Sequence, residues 1–431
     1  MQSSDLIILL ILLGGMATYI PVFMCLFFTS VLGFLLFTNM PLLLLTQTLF
    51  RSMDNFALVV VLFFILCGNI MTRGSIVEKL IKVANALVSW LPGGLGMAGV
   101  LGCGLFAAIS GSTVATVVAL GGFMIPALLE NGYPEKYTLG LMTTSPNLGV
   151  IIPPSISMIL YSMISNVSLE GLFSTGFLPG MLIILGVCFY SYFYFRTKKS
   201  ITRMPVPNLS QLLSVLKEGF WSLMLPVIIF GGIFSGVFTA NEAAVVACVY
   251  AFIVELFIHK SIRFREVKQI TVSSAVTSAT LLIIVAGATC FGRLLTLQNI
   301  PGRITETVLQ SIQSPLFFLL VMNVLLLIVG MFMDIISATM ILGPVFLPML
   351  SAFDINLMHF GLIMTVNLAI GYCTPPMGVS LYITGAISNR NLIYVSRAVF
   401  PFLIIQIAVL LLVTYVPDLF LWLPRLMGVL N

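Results

Sequence analysis

Charge is what this chain of 431 residues lacks most. Charged side chains make up 8% of it and hydrophobic ones 60%, whereas soluble domains run near 25% charged. A water-facing surface cannot be assembled from that composition, so a soluble enzyme or binding module is excluded. The net charge of +5 is no nucleic-acid signal. Histidine occurs only at 259 and 359, in or beside loops, and neither reads as a proton relay. No two acids or histidines stand together within the apolar stretches, which argues against an intramembrane transferase. The seven cysteines (Cys25, Cys67, Cys103, Cys188, Cys248, Cys290 and Cys373) are scattered singly. No pair has metal-ligand spacing, so they read as small apolar fillers. The ten-residue alternation of a transmembrane β-barrel is missing as well.

What is present is long uncharged sequence. No charge falls between Asp5 and Arg51, Lys82 and Glu130, Lys136 and Glu170, or Glu170 and Arg196. About 20 apolar residues span the hydrocarbon core, and at that depth the backbone must satisfy itself, so these runs read as helices. The N-terminus shows no basic region or cleavage site, so the first span reads as retained. Two spans are expected to meet near Tyr19-Ile20-Pro21. Basic residues cluster at Arg196–Arg203 and at His259–Lys268, which the positive-inside rule places in the cytoplasm. Phe220–Ile258 between them is long enough to go out and back.

The chain also repeats itself at an offset of 222. Met142, Thr143, Gly149 and Pro153-Pro154 meet Met364, Thr365, Gly371 and Pro375-Pro376, and the same register pairs Gly121 with Gly343 and Pro126 with Pro348. Each half holds an apolar stretch broken midway: Gly96–Leu129 at Ser110-Gly111-Ser112-Thr113, and Pro315–Leu350 near Met333–Ser337. Each reads as a re-entrant hairpin, with a single long helix as the alternative. Each half also holds a span interrupted by Gly and Pro-Pro, since proline lacks the N–H and ends a helix. The stretches 74–91 and 300–314 mix charged and apolar residues and read as amphipathic helices near the interface. Interrupted segments at matching places in two halves mark a transporter's binding site. Freed carbonyls there can replace the water around Na+, and half-helix N-termini can hold a carboxylate.

These residues resemble the large membrane subunit, of the DctM type, of the tripartite ATP-independent periplasmic (TRAP) transporters. The likeness is carried by residues 102–116 and 145–155, by Gly330–Asp334 and by Asn367–Gly378, and it covers essentially the whole chain. It implies sodium-coupled uptake of an organic acid across a bacterial inner membrane. A soluble periplasmic binding protein would deliver the acid, and a small four-helix membrane subunit would stand alongside. General likeness favours a sialic acid over a C4-dicarboxylate. A stand-alone sodium–dicarboxylate symporter is the alternative. The implied fold is an all-α, inverted-repeat elevator with two re-entrant hairpins and two broken helices. On that reading, scaffold helices occupy 1–72. The first repeat, 73–195, holds a hairpin at about 96–129 and a break at 145–155. A connecting region follows at 196–270. The second repeat, 271–431, holds a hairpin at about 315–350 and a break at 367–378.

The resemblance and the repeat together place two sodium sites. The first comprises Ser110, Ser112, Gly149, Ile152 and Pro154; the second comprises Gly330, Gly371, Thr374 and Met377. Thr113, Asn147, Ser155, Ser157, Asp334 and Asn367 are the candidates for the solute. Asp334 stands out, because it is the only charge between Glu306 and Asp354 and a carboxylate at bilayer depth costs several kcal/mol unless it faces a cavity. Arg293 is the one arginine placed to reach a cavity from the flank, although such residues often snorkel.

Overall fold

A computed structural model describes residues 3–18, 20–197 and 205–430, and these are helical with no strand among them. Tyr19 and most of the first basic loop lie outside the described residues. The chain opens with α1 (Ser3–Ala17), α2 (Val22–Phe37) and a pair bent by 53°, α3 (Leu42–Met53) and α4 (Ala57–Arg73). The amphipathic α5 (Ile76–Val88) then leads to a first hairpin. One arm of it is α6 (Gly94–Ser110). The other is α7 (Thr113–Thr116), continued by a π turn (Val117–Gly121) into α8 (Gly122–Glu130).

A broken span follows: α9 (Glu135–Thr144), a 3-10 turn (Ser145–Asn147), the single turn α10 (Leu148–Ile151) and α11 (Ile156–Ser165). Then come α12 (Leu169–Arg196), α13 (Leu209–Phe234), α14 (Ala240–Ile253) with a π turn at Val254–Ile258, and α15 (Phe264–Leu297). The second half repeats the pattern. It holds α16 (Ile300–Ser311), a hairpin of α17 (Pro315–Phe332) and α18 (Ile335–Ala352), then α19 (Leu357–Gly371) and α20 (Val379–Ser388). It ends with α21 (Leu392–Tyr415) and α22 (Pro417–Leu426). Among the described residues, 9 helices are long and apolar enough to cross a membrane, or 10 with the bent pair.

Backbone chemistry explains the hairpins. Gly111 takes a left-handed φ of 61°, open to glycine at little cost, and Ser112 is extended, so the chain turns back. The arms run antiparallel: a Cβ on Gly102 would meet Leu120 at 3.4 Å, and one on Gly99 would meet Met124 at 3.2 Å. At the second tip Met333 and Asp334 are both extended, and the arms meet again at their base where Phe318 stacks on Phe353 at 4.4 Å. The breaks are narrower than the sequence suggested. Only Gly111-Ser112 and Met333-Asp334 leave the helix at the tips, because Ser112 and Asp334 cap the helices that follow. In the second half α19 stays helical as far as Gly371, since no proline intervenes before Pro375.

The repeat is exact in backbone. Thr113–Glu130 and Ile335–Ala352 keep the 222 offset at both ends, as do the left-handed Gly132 and Asp354. Tyr133 N donates to Leu128 O, and Ile355 N to Leu350 O. After the two Pro-Pro pairs, both cis, the second half carries one extra residue. Ile156–Ser165 therefore matches Val379–Ser388, and the left-handed Asn166 matches Asn389.

Five crossings separate the hairpins: the broken α9–α11 span, α12, α13, α14 and α15. An odd number puts the hairpin bases on opposite sides. The first base lies with the basic loops, since Gly93 packs on Ser191 and Phe195 at the end of α12. The second lies with the opposite end, where Arg303 of α16 pairs with Asp5 at 2.5 Å and Gln298 Nε2 donates to Phe37 O at 2.6 Å.

On the basic side, a fully buried Glu255 accepts from Ser75 N and Ile76 N, both at 2.8 Å, and so caps α5 from 180 residues away. Ser261 Oγ also donates to it, and His259 Nδ1 lies 3.8 Å from it. Burial holds the His259 imidazole below its usual range, the charge of Lys79 adds to that, and Glu255 opposes both. A histidine harder to protonate folded than unfolded contributes stability that is present above about pH 6.5 and lost as pH falls below it. The unfolding temperature of the purified protein should therefore drop between pH 7 and pH 5, and His259→Gln should flatten that slope. An equally steep slope in the variant would assign the effect elsewhere.

Candidate functional site

Although the hairpins rise from opposite sides, their tips meet in one cavity of about 390 Å³. Ser110 to Ala115 come from the first tip and Asp334 to Ile336 from the second. Val150, Ile156, Ser157 and Tyr372 come from the breaks. The opposing wall is Ile65, Gly68 and Asn69 of α4 with Thr277, Leu281 and Ile284 of α15. Irregular backbone at membrane depth is tolerated only where it is enclosed or lines such a space.

The two tips use the same device at equivalent positions. Ser112 Oγ accepts from Ala115 N at 3.4 Å, and Asp334 Oδ2 accepts from Ser337 N at 2.8 Å. Each residue is the N-cap of the returning arm, and both donors and acceptors differ by 222. The N-terminal ends of α7, α18 and α11 thus converge on the cavity with their unpaired N–H groups and positive dipole ends, an arrangement suited to an anion. Asp334 supplies the only charge in the lining. The Thr113 hydroxyl is buried there without a partner, so it is a donor left over from folding.

Of the residues proposed from sequence, Ser110, Ser112, Thr113, Ser157 and Asp334 line this cavity. Ser155 sits just behind it, sharing a hydrogen bond with Ser157 at 2.9 Å and capping Met158 N. Gly149 lies against the tip: a Cβ there would fall 2.7 Å from Ser112 O. Pro154 O would lie 2.8 Å from a Cβ on Gly111, and Ile156 N donates to Gly111 O at 3.4 Å. Carbonyls and hydroxyls of the tip and the first break are therefore gathered together. The Ile152 side chain turns towards Gly104 and Gly180 of the neighbouring helices.

In the second set, Gly330 and Gly371 touch backbone to backbone. Thr374 spends its hydroxyl on Ile370 O at 2.8 Å, and Met377 is 46% exposed on another face. Asn147 and Asn367 do not reach the cavity. Asn147 Nδ2 donates to Gln406 Oε1 at 2.9 Å and its carbonyl accepts from Cys373, while Asn367 Nδ2 donates to Asn323 Oδ1 at 2.7 Å. Each ties its own segment to another helix, α21 for Asn147 and α17 for Asn367, which their sequence neighbourhood did not reveal.

Three participants escaped the sequence reading. Thr116 Oγ1 donates to Ser112 O at 2.7 Å and lies 3.2 Å from Ser110 Oγ, one turn beyond the tip. Tyr372 Oη accepts from Ile335 N at 3.4 Å, linking the second break to the second tip. Asn69 of α4 belongs to the facing wall, and the only signal for it was a Gly-Asn pair inside an apolar run. Arg293 lines a second cavity of about 520 Å³, farther along α15, with Ser52 and Asn55 opposite.

The profile of the family described as "Tripartite ATP-independent periplasmic transporter, DctM component" matches residues 9–419. The chain belongs to the DctM family. It is similar to the C4-dicarboxylate TRAP transporter large permease protein DctM of Rhodobacter capsulatus, at 36% identity over 99% of this chain and 100% of the relative. It is 34% identical to the sialic acid TRAP transporter large permease protein SiaM of Vibrio cholerae, over 96% and 97% of the two chains. An isethionate TRAP transporter permease protein, DctMQ of Oleidesulfovibrio alaskensis, is 36% identical, and this chain spans 60% of its length. Among solved structures, the YdaH transporter of Alcanivorax borkumensis has the same fold, with a TM-score of 0.61 at 16% identity over 86% of this chain and 88% of that one. This DctM protein is thus a multi-pass transport permease, as its relatives are named, and not an enzyme.

Proposed function

We propose that the chain moves a small organic acid inward across the bacterial inner membrane, driven by sodium. A periplasmic binding protein delivers the acid, and a small four-helix membrane subunit is associated. The reading is carried by one observation: two caps, Ser112 and Asp334, on equivalent tips of oppositely rooted hairpins, face one cavity. Sodium fits the carbonyl and hydroxyl oxygens around Ser110, Ser112, Thr116 and Gly149, and Asp334 offers the second tip a negative ligand. The acid fits the converging helix N-termini and the spare Thr113 hydroxyl. Movement of both hairpins past α4 and α15 as one body, in the elevator manner, would carry the cavity from one side to the other.

Sialic acid is the favoured solute, with a C4-dicarboxylate next. Apart from Asp334 the polar lining consists of neutral hydroxyl and amide groups such as Asn69, Thr113, Ser157 and Thr277, with no Lys or Arg. That suits a singly charged, many-hydroxyl acid better than a dianion. The test is uptake of labelled N-acetylneuraminate and succinate into proteoliposomes containing the chain and its small subunit. Uptake should require both an inward sodium gradient and the binding protein. Sodium-driven uptake without the soluble protein would make it a stand-alone symporter, and uptake indifferent to sodium would end the coupling claim.

A further inference from the structure

The two halves depart from each other at one place. In the first half Pro153 and Pro154 are buried, whereas their mates Pro375 and Pro376 are exposed. Two glycines account for the difference. Gly176 and Gly180 let α12 close directly onto Ile151 and Ile152, leaving no room for a Cβ at either position. At the matching points α21 carries Val399 and Leu403, so it stands off from the second break. The gap is an open crevice of about 660 Å³ walled by Pro375, Pro376, Leu392, Ile393 and Phe400. Ser396 and Arg397 also line it. The position equivalent to Arg397 is Ser174, a buried residue that bonds its own helix.

Arg397 is exposed and has no acidic partner or hydrogen bond among the described residues, unlike Arg390, which grips Glu135 at 2.6 and 3.0 Å. No residue of α4 or α15 contributes to the crevice, so it opens away from the tip cavity. Ile393 and Phe400 are each 65% exposed beside it, which marks a lipid-facing surface. Glu135 contacts Arg390 and Tyr394, and Tyr137 Oη lies 2.6 Å from Ser191 near the end of α12. The start of α21 is therefore on the side of the basic loops. Arg397 lies five residues into the helix, about 7.5 Å along its axis, within reach of the headgroups by snorkelling.

We infer that this crevice is a binding site for an anionic phospholipid of the cytoplasmic leaflet. Arg397 would hold the phosphodiester, while Ser396, whose hydroxyl donates to Leu392 O at 2.8 Å, only lines the crevice, and one acyl chain would lie against Pro375, Pro376 and Phe400. Phosphate favours arginine's fork of donors, the cytoplasmic leaflet carries the anionic lipids, and a chain in the crevice covers the break that α21 leaves open. The lipid thus replaces, in the second half, the contact that Gly176 and Gly180 make in the first.

The test is the thermal unfolding of the purified full-length chain in neutral detergent with added dioleoylphosphatidylglycerol, dioleoylphosphatidylcholine or glycerol phosphate. Phosphatidylglycerol should raise the midpoint by several degrees more than phosphatidylcholine, and glycerol phosphate, which has no chains, should not. Arg397→Gln should lose at least half of that difference and Arg397→Lys should keep most of it. Ile393→Trp, which fills the crevice and leaves the arginine in place, should lose it too. An unchanged difference in Arg397→Gln or in Ile393→Trp would overturn the site, as would an equal response to the two lipids.

Discussion

Asp334→Asn should cut sodium-driven uptake by about 10- to 100-fold, the range expected when a charge-assisted contact of about 1.5–3 kcal/mol is lost. The variant isolates the charge. Asparagine caps a helix about as well as aspartate, so the bond to Ser337 N that starts α18 survives, and the unfolding temperature should change little. Asp334→Ala should lose the cap as well and cost about 0.5–2 kcal/mol. Sodium titration of uptake separates the possible roles. A shift in the sodium dependence assigns Asp334 to the cation, while a shift in the half-saturating acid alone assigns it to the solute. Normal rate and normal sodium dependence in Asp334→Asn would remove this residue from the mechanism.

Gly371→Ala should do comparable damage by a different route. A Cβ at 371 would fall 2.6 Å from the Cα and carbonyl carbon of Gly330. Both are backbone atoms that cannot rotate away, so α17 and α19 must separate. Overpacking of this kind costs about 1–3 kcal/mol. The separation also shifts the second tip relative to the break that Tyr372 ties to it, so uptake should fall to a few per cent of normal. Gly122→Ala is the matched control, because nothing lies within 4 Å of a Cβ there. In a helix it should be neutral or gain about 0.5–1 kcal/mol. Uptake by Gly371→Ala at the rate of Gly122→Ala would show that the close approach has no functional role.

Much of this architecture was legible in residues. The two Pro-Pro pairs fixed the register of the repeat, and Gly111 and Asp334 sat at the tips because one permits a left-handed turn and the other caps a helix. The partners of the asparagines were not legible. Asn147 and Asn367 lie beside the breaks in sequence, but Gln406 and Asn323 claim them from helices far along the chain. Pairing over 259 and 44 residues leaves no local trace. The same holds for Glu255, which caps α5 from 180 residues away. The second sodium set illustrates a further limit. The resemblance and the 222 offset together placed Thr374 and Met377, and the one extra residue after Pro376 means that the second break is not a residue-by-residue copy of the first.

The most direct test of the central claim is ligand protection at the two tips. In a background without the seven native cysteines, Val114→Cys and Ile336→Cys each place a thiol in the wall of the tip cavity. Maleimide labelling of both should slow when sodium and the transported acid are present together, and to a similar extent at the two tips, because one cavity holds both ligands. Labelling of either thiol that ignores the ligands, in a variant that still transports, would contradict a shared site at the hairpin tips.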